Sequence, residues 1–235
     1  MIEVRTGTGS EDALIALAYQ KIVACLTVGE QKLVDPLVLV GARFVLLQEL
    51  GVVIAEAEKI YGPAPDEKFP IPAVEVAKLN PKYFRRIVRY DSKEAPGTII
   101  VDPGNHYVYR IEGDGNATRY GANVGRAGFL WSGEAYVGRK AEWPIWTPPK
   151  EMIQRQPEAA KYARGMPAGL DNPLGARTLY LYQNGVYTLY TIYSTSDPET
   201  IGTNLTSGCT GLLSQDMIDL YSRTPVKTKV VVLAV

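Results

Sequence analysis

Short runs in which apolar and polar residues alternate recur through the last two-thirds of this 235-residue chain, and they constrain the fold more than any other feature. The runs are TIIVD, HYVYRI, EAYVGRK, TLYLY, YTLYTIY and KVVVLAV, and Gly, Asn and Pro clusters separate them. A period of two is typical of strands with one buried face. The 15 tyrosines, 22 glycines and 16 prolines also favour strands joined by turns over a helical bundle. The sequence therefore predicts a mainly β fold, an antiparallel sandwich or barrel.

The first third of the chain has a different pattern. Apolar residues recur at helical spacing after Ser10, which predicts an amphipathic helix, and a second helix is predicted over Arg43 to Tyr61. Prolines at 63, 65, 70 and 72 then forbid helix and favour an extended tether. We therefore divide the chain into a helical N-terminal segment over 1–60, a Pro-rich linker over 61–77 and a strand-rich domain over 78–235. Two short helical insertions are predicted in that domain, Pro157 to Arg164 and Ser214 to Arg223.

Charge and composition exclude several kinds of partner. Lys plus Arg and Asp plus Glu both number 25, so the chain lacks the positive field that nucleic-acid binding normally uses. Two cysteines and one histidine are too few for a four-thiolate zinc site, an iron-sulfur cluster or a His-rich metal centre. No complete nucleotide-binding glycine motif is present. We expect no metal, no cofactor and no nucleic-acid partner, and the oligomeric state stays open.

Targeting signals are also missing from the sequence. Acidic and basic residues, Glu3, Arg5, Glu11 and Asp12, stand where a signal peptide needs a basic start and an apolar stretch. The most apolar region, Leu33 to Ala55, is interrupted by charged and polar side chains. The sequence predicts neither an ordinary export signal in residues 1–60 nor a membrane span.

One cysteine stands out by its local context. Cys209 follows Thr206, Ser207 and Gly208, between a predicted strand that ends near Tyr193 and the helix that begins at Ser214. A glycine turn in this position could present the thiol at the end of a sheet. Alone, the dipeptide is a weak signal, because a buried and inert cysteine gives the same pattern.

Longer stretches of the chain resemble a known family. They are PGTIIVD, RYGANVGRAGFLWSGEAYVGRKAEWPIWTPP, GMPAGLDNPLGARTLYLY, IGTNLTSGCTGLLSQDMIDLY and TPVKTKVVVL. From about Lys78 to Leu233 the chain resembles the L,D-transpeptidase catalytic domain, the YkuD-like family of bacterial cell-wall enzymes. The resemblance implies a β-sandwich-like fold and a cysteine nucleophile that acts on the tetrapeptide stems of peptidoglycan, in the periplasm or cell envelope.

The resemblance also places the site, and it shows two departures from the family. Cys209, after Ser207 and Gly208, falls on the nucleophile. The family histidine, which opens a His-Gly-Thr motif, is replaced by Tyr193 followed by Ser194, at the family's spacing of 16 residues. Tyrosine, with a pKa near 10, is a poor base at pH 7. The family's Gly-Cys-Ile-Arg motif ends here in Gly211, so the arginine is missing too.

Aromatic and basic residues mark a possible substrate wall. Trp131, Trp143 and Arg139 lie in a segment that resembles part of the family's cleft, although tryptophans that simply fill the edge of the core would give the same pattern. His106 is the only alternative imidazole, and its predicted strand is remote from the catalytic strand.

Two functions follow from these observations. The first is an L,D-transpeptidase or stem-peptide hydrolase that is impaired by loss of the motif histidine and arginine. The second is a non-catalytic relative that binds muropeptides or a partner. If the missing groups limit the chemistry, Tyr193→His, alone and with Gly211→Arg, is expected to speed acylation of Cys209 by a carbapenem.

Overall fold

A computed structural model describes residues 52–127 and 129–235. The helix predicted after Ser10, most of the helix predicted over Arg43 to Tyr61, and Cys25 lie outside the described residues. Residues 52–60 are helical, which agrees with the end of the second predicted helix, and we call them α1.

The described chain is built mainly from strands, as the alternation predicts. Their bounds are β1 Arg86–Arg89, β2 Ile99–Asp102, β3 Tyr107–Gly113, β4 Asn116–Gly125, β5 Gly133–Glu142, β6 Arg177–Gln183, β7 Val186–Thr195, β8 Asn204–Thr206, β9 Thr210–Leu213 and β10 Lys229–Val232. Two further α-helices are α2 Lys150–Arg155 and α3 Ser214–Ser222. Short 3₁₀ helices cover Val76–Lys78, Pro81–Tyr83, Pro157–Tyr162 and Pro198–Thr200. The second predicted insertion is therefore α3, and the first is a 3₁₀ segment that follows α2.

The strands are hydrogen-bonded in the order β1-β4-β3-β2-β10-β5-β6-β7-β9, and β4 also pairs with β9. That additional pairing links β9, at one end of the path, to β4, the strand next to the other end. Most neighbours are antiparallel, but β10 pairs with β2, β4 with β8, and β7 with β9 in parallel. A parallel pair needs a crossover connection, and the loop between β7 and β9 is the crossover that carries Cys209.

The main core is apolar and lies on one face of these strands. It includes Leu179 on β6, Ile192 on β7 and Leu212 on β9, and α3 covers it with Met217 and Leu220. Side chains alternate across a strand. Thr191, Tyr193 and Gly211 are therefore on the opposite face of β7 and β9, and that face holds the site.

The proline-rich segment packs against the strands. Tyr61 and Ile71 are buried, and Glu67 forms a two-pronged ion pair with Arg177 on β6, at 2.6 and 2.9 Å. Trp143 also donates a hydrogen bond to Glu67, at 2.9 Å. The division at 61–77 stays a prediction, but these residues contact the strand domain directly.

Among the helices in residues 52–127 and 129–235, none is long and apolar enough to cross a membrane.

Candidate functional site around Cys209

Cys209 lies in a tight turn between β8 and β9, and the turn requires glycine before the cysteine. Gly208 has a φ of +110°, and a Cβ there would lie 2.5 Å from Cε1 of Tyr190 and 2.7 Å from the carbonyl oxygen of Phe129. Thr206 fastens both sides of the turn, because its hydroxyl accepts from the Gly208 amide at 3.2 Å and donates to the Cys209 carbonyl at 2.5 Å. Thr206 and Gly208 therefore determine the position of the Cys209 thiol.

The thiol is free, half-buried and in contact with β7. Its Sγ donates to the carbonyl oxygen of Leu189 at 3.7 Å. Leu189 has a φ of +67°, and its side chain is 61% exposed, so this strained residue turns its carbonyl toward the thiol and its apolar side chain toward solvent. The thiol thus lies at a sheet end, where the sequence analysis places it, and it is half-buried there.

Tyr193 and Gly211 lie side by side and share a partner on β4. They are paired in the parallel β7–β9 register. The buried Asn123 accepts from the Gly211 amide at 2.9 Å and from the Tyr193 hydroxyl at 3.3 Å, and its amide group donates to Thr200 at 3.1 Å. Asn123 therefore holds Tyr193 and Gly211 together.

The packing at Gly211 changes one expectation from the sequence. A Cβ on Gly211 would lie 2.3 Å from Oδ1 of Asn123, well inside van der Waals contact. An arginine there therefore needs a change at Asn123 as well. The predicted benefit of Gly211→Arg does not follow for this backbone, because Asn123 occupies the space next to Gly211.

Three tyrosines of β7 lie close enough to Cys209 to interact with it electrostatically. Burial raises the pKa of Tyr193 to about 12, with a further contribution from the nearby Cys209 and a small opposing one from the Asn123 hydrogen bond. Burial and Cys209 also raise the pKa values of Tyr187 and Tyr190. All three phenols are neutral at pH 7, so they can donate a hydrogen bond but cannot act as a base.

The other residues predicted for the site divide into two groups. Trp131 lies near the thiol, because it stacks on Tyr190 with ring centroids 5.5 Å apart. Arg139 lies over the ring of Tyr180 at 4.2 Å. Its charge also opposes the rise in the pKa of Tyr187, which places Arg139 near the same face.

Ser194 and Trp143 are engaged elsewhere. The Ser194 hydroxyl accepts from the Arg177 amide at 3.0 Å and contacts its carbonyl oxygen at 3.2 Å, so it ties β7 to β6. Trp143 packs edge-on against Phe69 and donates to Glu67, and this agrees with the alternative that it fills the edge of a core.

His106 lies in the turn before β3, with a φ of +61°, and not within the strand predicted for it. Its Nε2 is 2.9 Å from Oδ1 of Asn204. The histidine is thus a partner of β8.

Several residues of this site escaped sequence reasoning. Asn123 contacts Gly211 and Leu189 contacts the thiol, and no motif marks either residue, whereas Thr206 belongs to the run before Cys209 that the sequence already singled out. Only the spacing of Tyr187, Tyr190 and Tyr193 along one strand was a visible signal. In the described part of the chain, no group of three or more His, Cys, Asp or Glu side chains is placed to hold a metal ion.

The fold and site together define a mainly β protein that presents a free thiol at a glycine turn between β8 and β9. The family model for the L,D-transpeptidase catalytic domain, YkuD, matches residues 96–232, which include every element of this site. The chain belongs to the L,D-transpeptidase catalytic-domain family.

Named relatives agree with this assignment. A protein of Fuscovulum blasticum, named as an L,D-transpeptidase encoded in the ATP synthase subunits region, is 34% identical over 42% of this chain and 48% of its own length. "Probable L,D-transpeptidase YbiS" of Escherichia coli K12 is 35% identical over 40% of this chain and 29% of its own length. The match thus spans less than half the length of these curated relatives.

Solved structures are also similar to this chain. One from Brucella melitensis, described as a probable carnitine operon oxidoreductase, is 39% identical, covers 68% of this chain and 99% of that chain, and has a TM-score of 0.46. An L,D-transpeptidase from Mycobacterium smegmatis is 19% identical, covers 60% of this chain and 59% of that chain, and has a TM-score of 0.42.

Proposed function

We propose that this protein transfers acyl groups on the tetrapeptide stems of peptidoglycan, with Cys209 as the nucleophile, in the bacterial cell envelope. The observation that supports the proposal most directly is the free Cys209 thiol, which the Gly208 turn presents on the motif position of the family. A thiol held at a fixed turn and reachable from solvent is suited to covalent acyl transfer.

The reaction follows from thiol chemistry. The Cys209 thiolate attacks the carbonyl carbon of a stem-peptide residue, a carbon–sulfur bond forms, and the amide bond to the neighbouring D-residue breaks. The departing amine takes up a proton. An amine or water then attacks the thioester and releases the thiol.

The surroundings of the thiol fit this reaction only partly. Tyr193 stands at the position of the family base, and its pKa of about 12 keeps it protonated at pH 7. A positioned base typically contributes 10² to 10⁴ in rate. We therefore propose that turnover is slow compared with a histidine-bearing member of the family.

Substrate contacts are proposed from the residues around the thiol. Trp131 and the exposed Leu189 offer apolar surface beside Cys209. Arg139, held over Tyr180, offers a positive charge that suits a stem-peptide carboxylate. Ser207 and Gly211 lie two residues before and two residues after the nucleophile.

A second function is favoured by the same observation on Tyr193. A neutral phenol at the base position allows the chain to bind muropeptides without turnover.

One experiment separates the two functions. The full chain is incubated with tetrapeptide-stem muropeptides, and mass spectrometry measures released D-alanine and 3-3 linked dimers. The enzyme proposal expects slow product formation that Cys209→Ala abolishes and that Tyr193→His accelerates. Binding without product, unchanged in Cys209→Ala, supports the non-catalytic function, and neither binding nor product contradicts both.

A further inference from the structure

A buried hydroxyl next to the cysteine has no hydrogen-bond partner among the described residues. Thr191 on β7 is 4% exposed, and its Oγ1 neither donates to nor accepts from another group there. Buried polar groups are nearly always hydrogen-bonded, so an unpaired one calls for a reason. The cross-strand contacts show where this hydroxyl lies.

The strand register brings Thr191 to the end of β7 that leads into the cysteine turn. In the parallel β7–β9 pair, Ile192 faces Thr210 and Tyr193 faces Gly211. Thr191 directly precedes Ile192 and Cys209 directly precedes Thr210, and the thiol itself contacts β7 at the carbonyl oxygen of Leu189. On its other side Thr191 pairs with Tyr180 of β6. Thr191 and Tyr193 are two residues apart and share a face of β7, opposite the core face of Ile192.

The resting thiol does not use these hydroxyls. Its proton points to the carbonyl oxygen of Leu189, at 3.7 Å. A thiolate has no proton to donate, and a carbonyl oxygen repels its negative charge. Deprotonation therefore breaks this contact and favours a rotamer of Cys209 that meets donors instead.

We propose that the Thr191 hydroxyl is the hydrogen-bond donor that stabilises the Cys209 thiolate in place of an imidazolium, and that the Tyr193 hydroxyl joins it by turning from Asn123, to which it donates at 3.3 Å, toward the sulfur. The thiol proton leaves to bulk water, which reaches the half-buried side chain, so no internal base is needed. Thr191 is thus a positioning residue that acts through Cys209. The inference rests on the proposed nucleophilic role of Cys209.

The groups around the thiol are compatible with this role. Tyr187, Tyr190 and Tyr193 are the titratable side chains of β7 that interact with Cys209, and all three are neutral at pH 7. Across β6 the charged group is Arg139 over Tyr180. No carboxylate is recorded in contact with the thiol among the described residues.

The burial of Thr191 strengthens the effect. A donor without competing water makes a stronger hydrogen bond to a charge than an exposed donor does. Hydrogen bonding to the charged form favours that form. Loss of the hydroxyl is therefore expected to move the titration of the thiol upward by about one pH unit, which corresponds to a tenfold change in the thiolate population.

Alkylation of the full chain tests the proposal without any peptidoglycan substrate. The rate of iodoacetamide modification of the Cys209 peptide is measured by mass spectrometry from pH 5 to pH 10. Thr191→Val keeps the β-branched shape and removes the hydroxyl, and it is expected to raise the pH of half-maximal alkylation by about one unit. Thr191→Ser keeps the hydroxyl and is expected to stay near the wild type.

Controls make the result specific to the donor. Thr195→Val, on the same strand, removes a hydroxyl that accepts from the Asp197 amide at 3.2 Å, and it is expected to leave the pH profile unchanged. If Thr191→Val does not fold, Tyr193→Phe removes the second donor and is expected to raise the same midpoint. Folding of each variant is checked by circular dichroism.

The outcome is separable from that of the proposed function. Equal pH midpoints for the wild type and for the folded Thr191→Val or Tyr193→Phe variant overturn the inference, even if muropeptides are turned over. A raised midpoint supports it, even if no muropeptide product forms.

Discussion

Asp216 is a carboxylate in the first turn of α3 that the fold buries completely, and it offers a quantitative test of the structure. Burial raises its pKa from 3.8 to about 7, although the charge of Arg85 and the hydrogen bond from Tyr61, at 3.1 Å, act in the opposite direction and Asp219 adds to the increase. The Arg85 Nε lies 3.7 Å from Oδ1, too far for a good hydrogen bond. The folded state therefore prefers the protonated acid.

The sign and size of the effect follow from linkage. A group whose pKa is raised on folding stabilises the fold below its unfolded pKa, and this contribution is lost as pH rises from about 4 to about 7. A shift of about three units at 1.36 kcal/mol each corresponds to about 4 kcal/mol.

Asp216→Asn removes the titration but keeps an oxygen that can accept from Tyr61. Any constant cost of the amide cancels when two pH values are compared. The informative quantity is therefore how the difference in unfolding free energy between the variant and the wild type changes with pH. The free energy of unfolding of the variant minus that of the wild type is expected to rise by about 4 kcal/mol between pH 4 and pH 8. Urea unfolding followed by circular dichroism measures it.

Asp114→Asn is the matched control. This exposed aspartate lies in the turn between β3 and β4 with a φ of +52°, which asparagine tolerates. It is expected to show a stability difference that hardly changes with pH. If the stability difference between Asp216→Asn and the wild type is equally independent of pH, the argument that the fold keeps this acid protonated is refuted.

Two further predictions concern contacts that the fold makes over long sequence distances. Gly211→Ala places a Cβ 2.3 Å from Oδ1 of Asn123 and is expected to lower the free energy of unfolding by about 1–3 kcal/mol. In an Asn123→Gly background the same change is expected to cost much less. Equal costs in both backgrounds, measured by urea unfolding, would contradict the steric argument. Glu67→Gln breaks the partly buried ion pair with Arg177, where burial would raise the pKa of Glu67 but the Arg177 and Trp143 hydrogen bonds hold it below its usual value. It is expected to destabilise the fold by about 2–3 kcal/mol, while Glu75→Gln in the exposed pair with Lys78 changes it by less than about 1 kcal/mol. A similar small effect at both sites would mean that the Glu67–Arg177 ion pair adds little to stability.

The family and the general fold could be predicted from the sequence because both depend on local patterns. Period-two alternation predicts strands such as β6 and β7, since side chains alternate across a strand wherever it lies. Gly208 before Cys209 predicts a turn, because few other residues adopt a positive φ there. The ordered matches around these elements were sufficient to identify the family.

The chemical surroundings of Cys209 could not be predicted in the same way. Asn123 is 88 residues from Gly211 in the sequence, and only the β4–β9 pairing brings its side chain into the space next to that glycine. Thr191 has the pattern of an ordinary strand threonine, and only the folded sheet shows that its hydroxyl is buried without a partner among the described residues. Glu67, 110 residues from Arg177, reads as part of a linker until the fold pairs them. Spacing along the chain determines which residues alternate and turn, whereas the contacts that a side chain makes depend on strands that meet only when the sheet has formed.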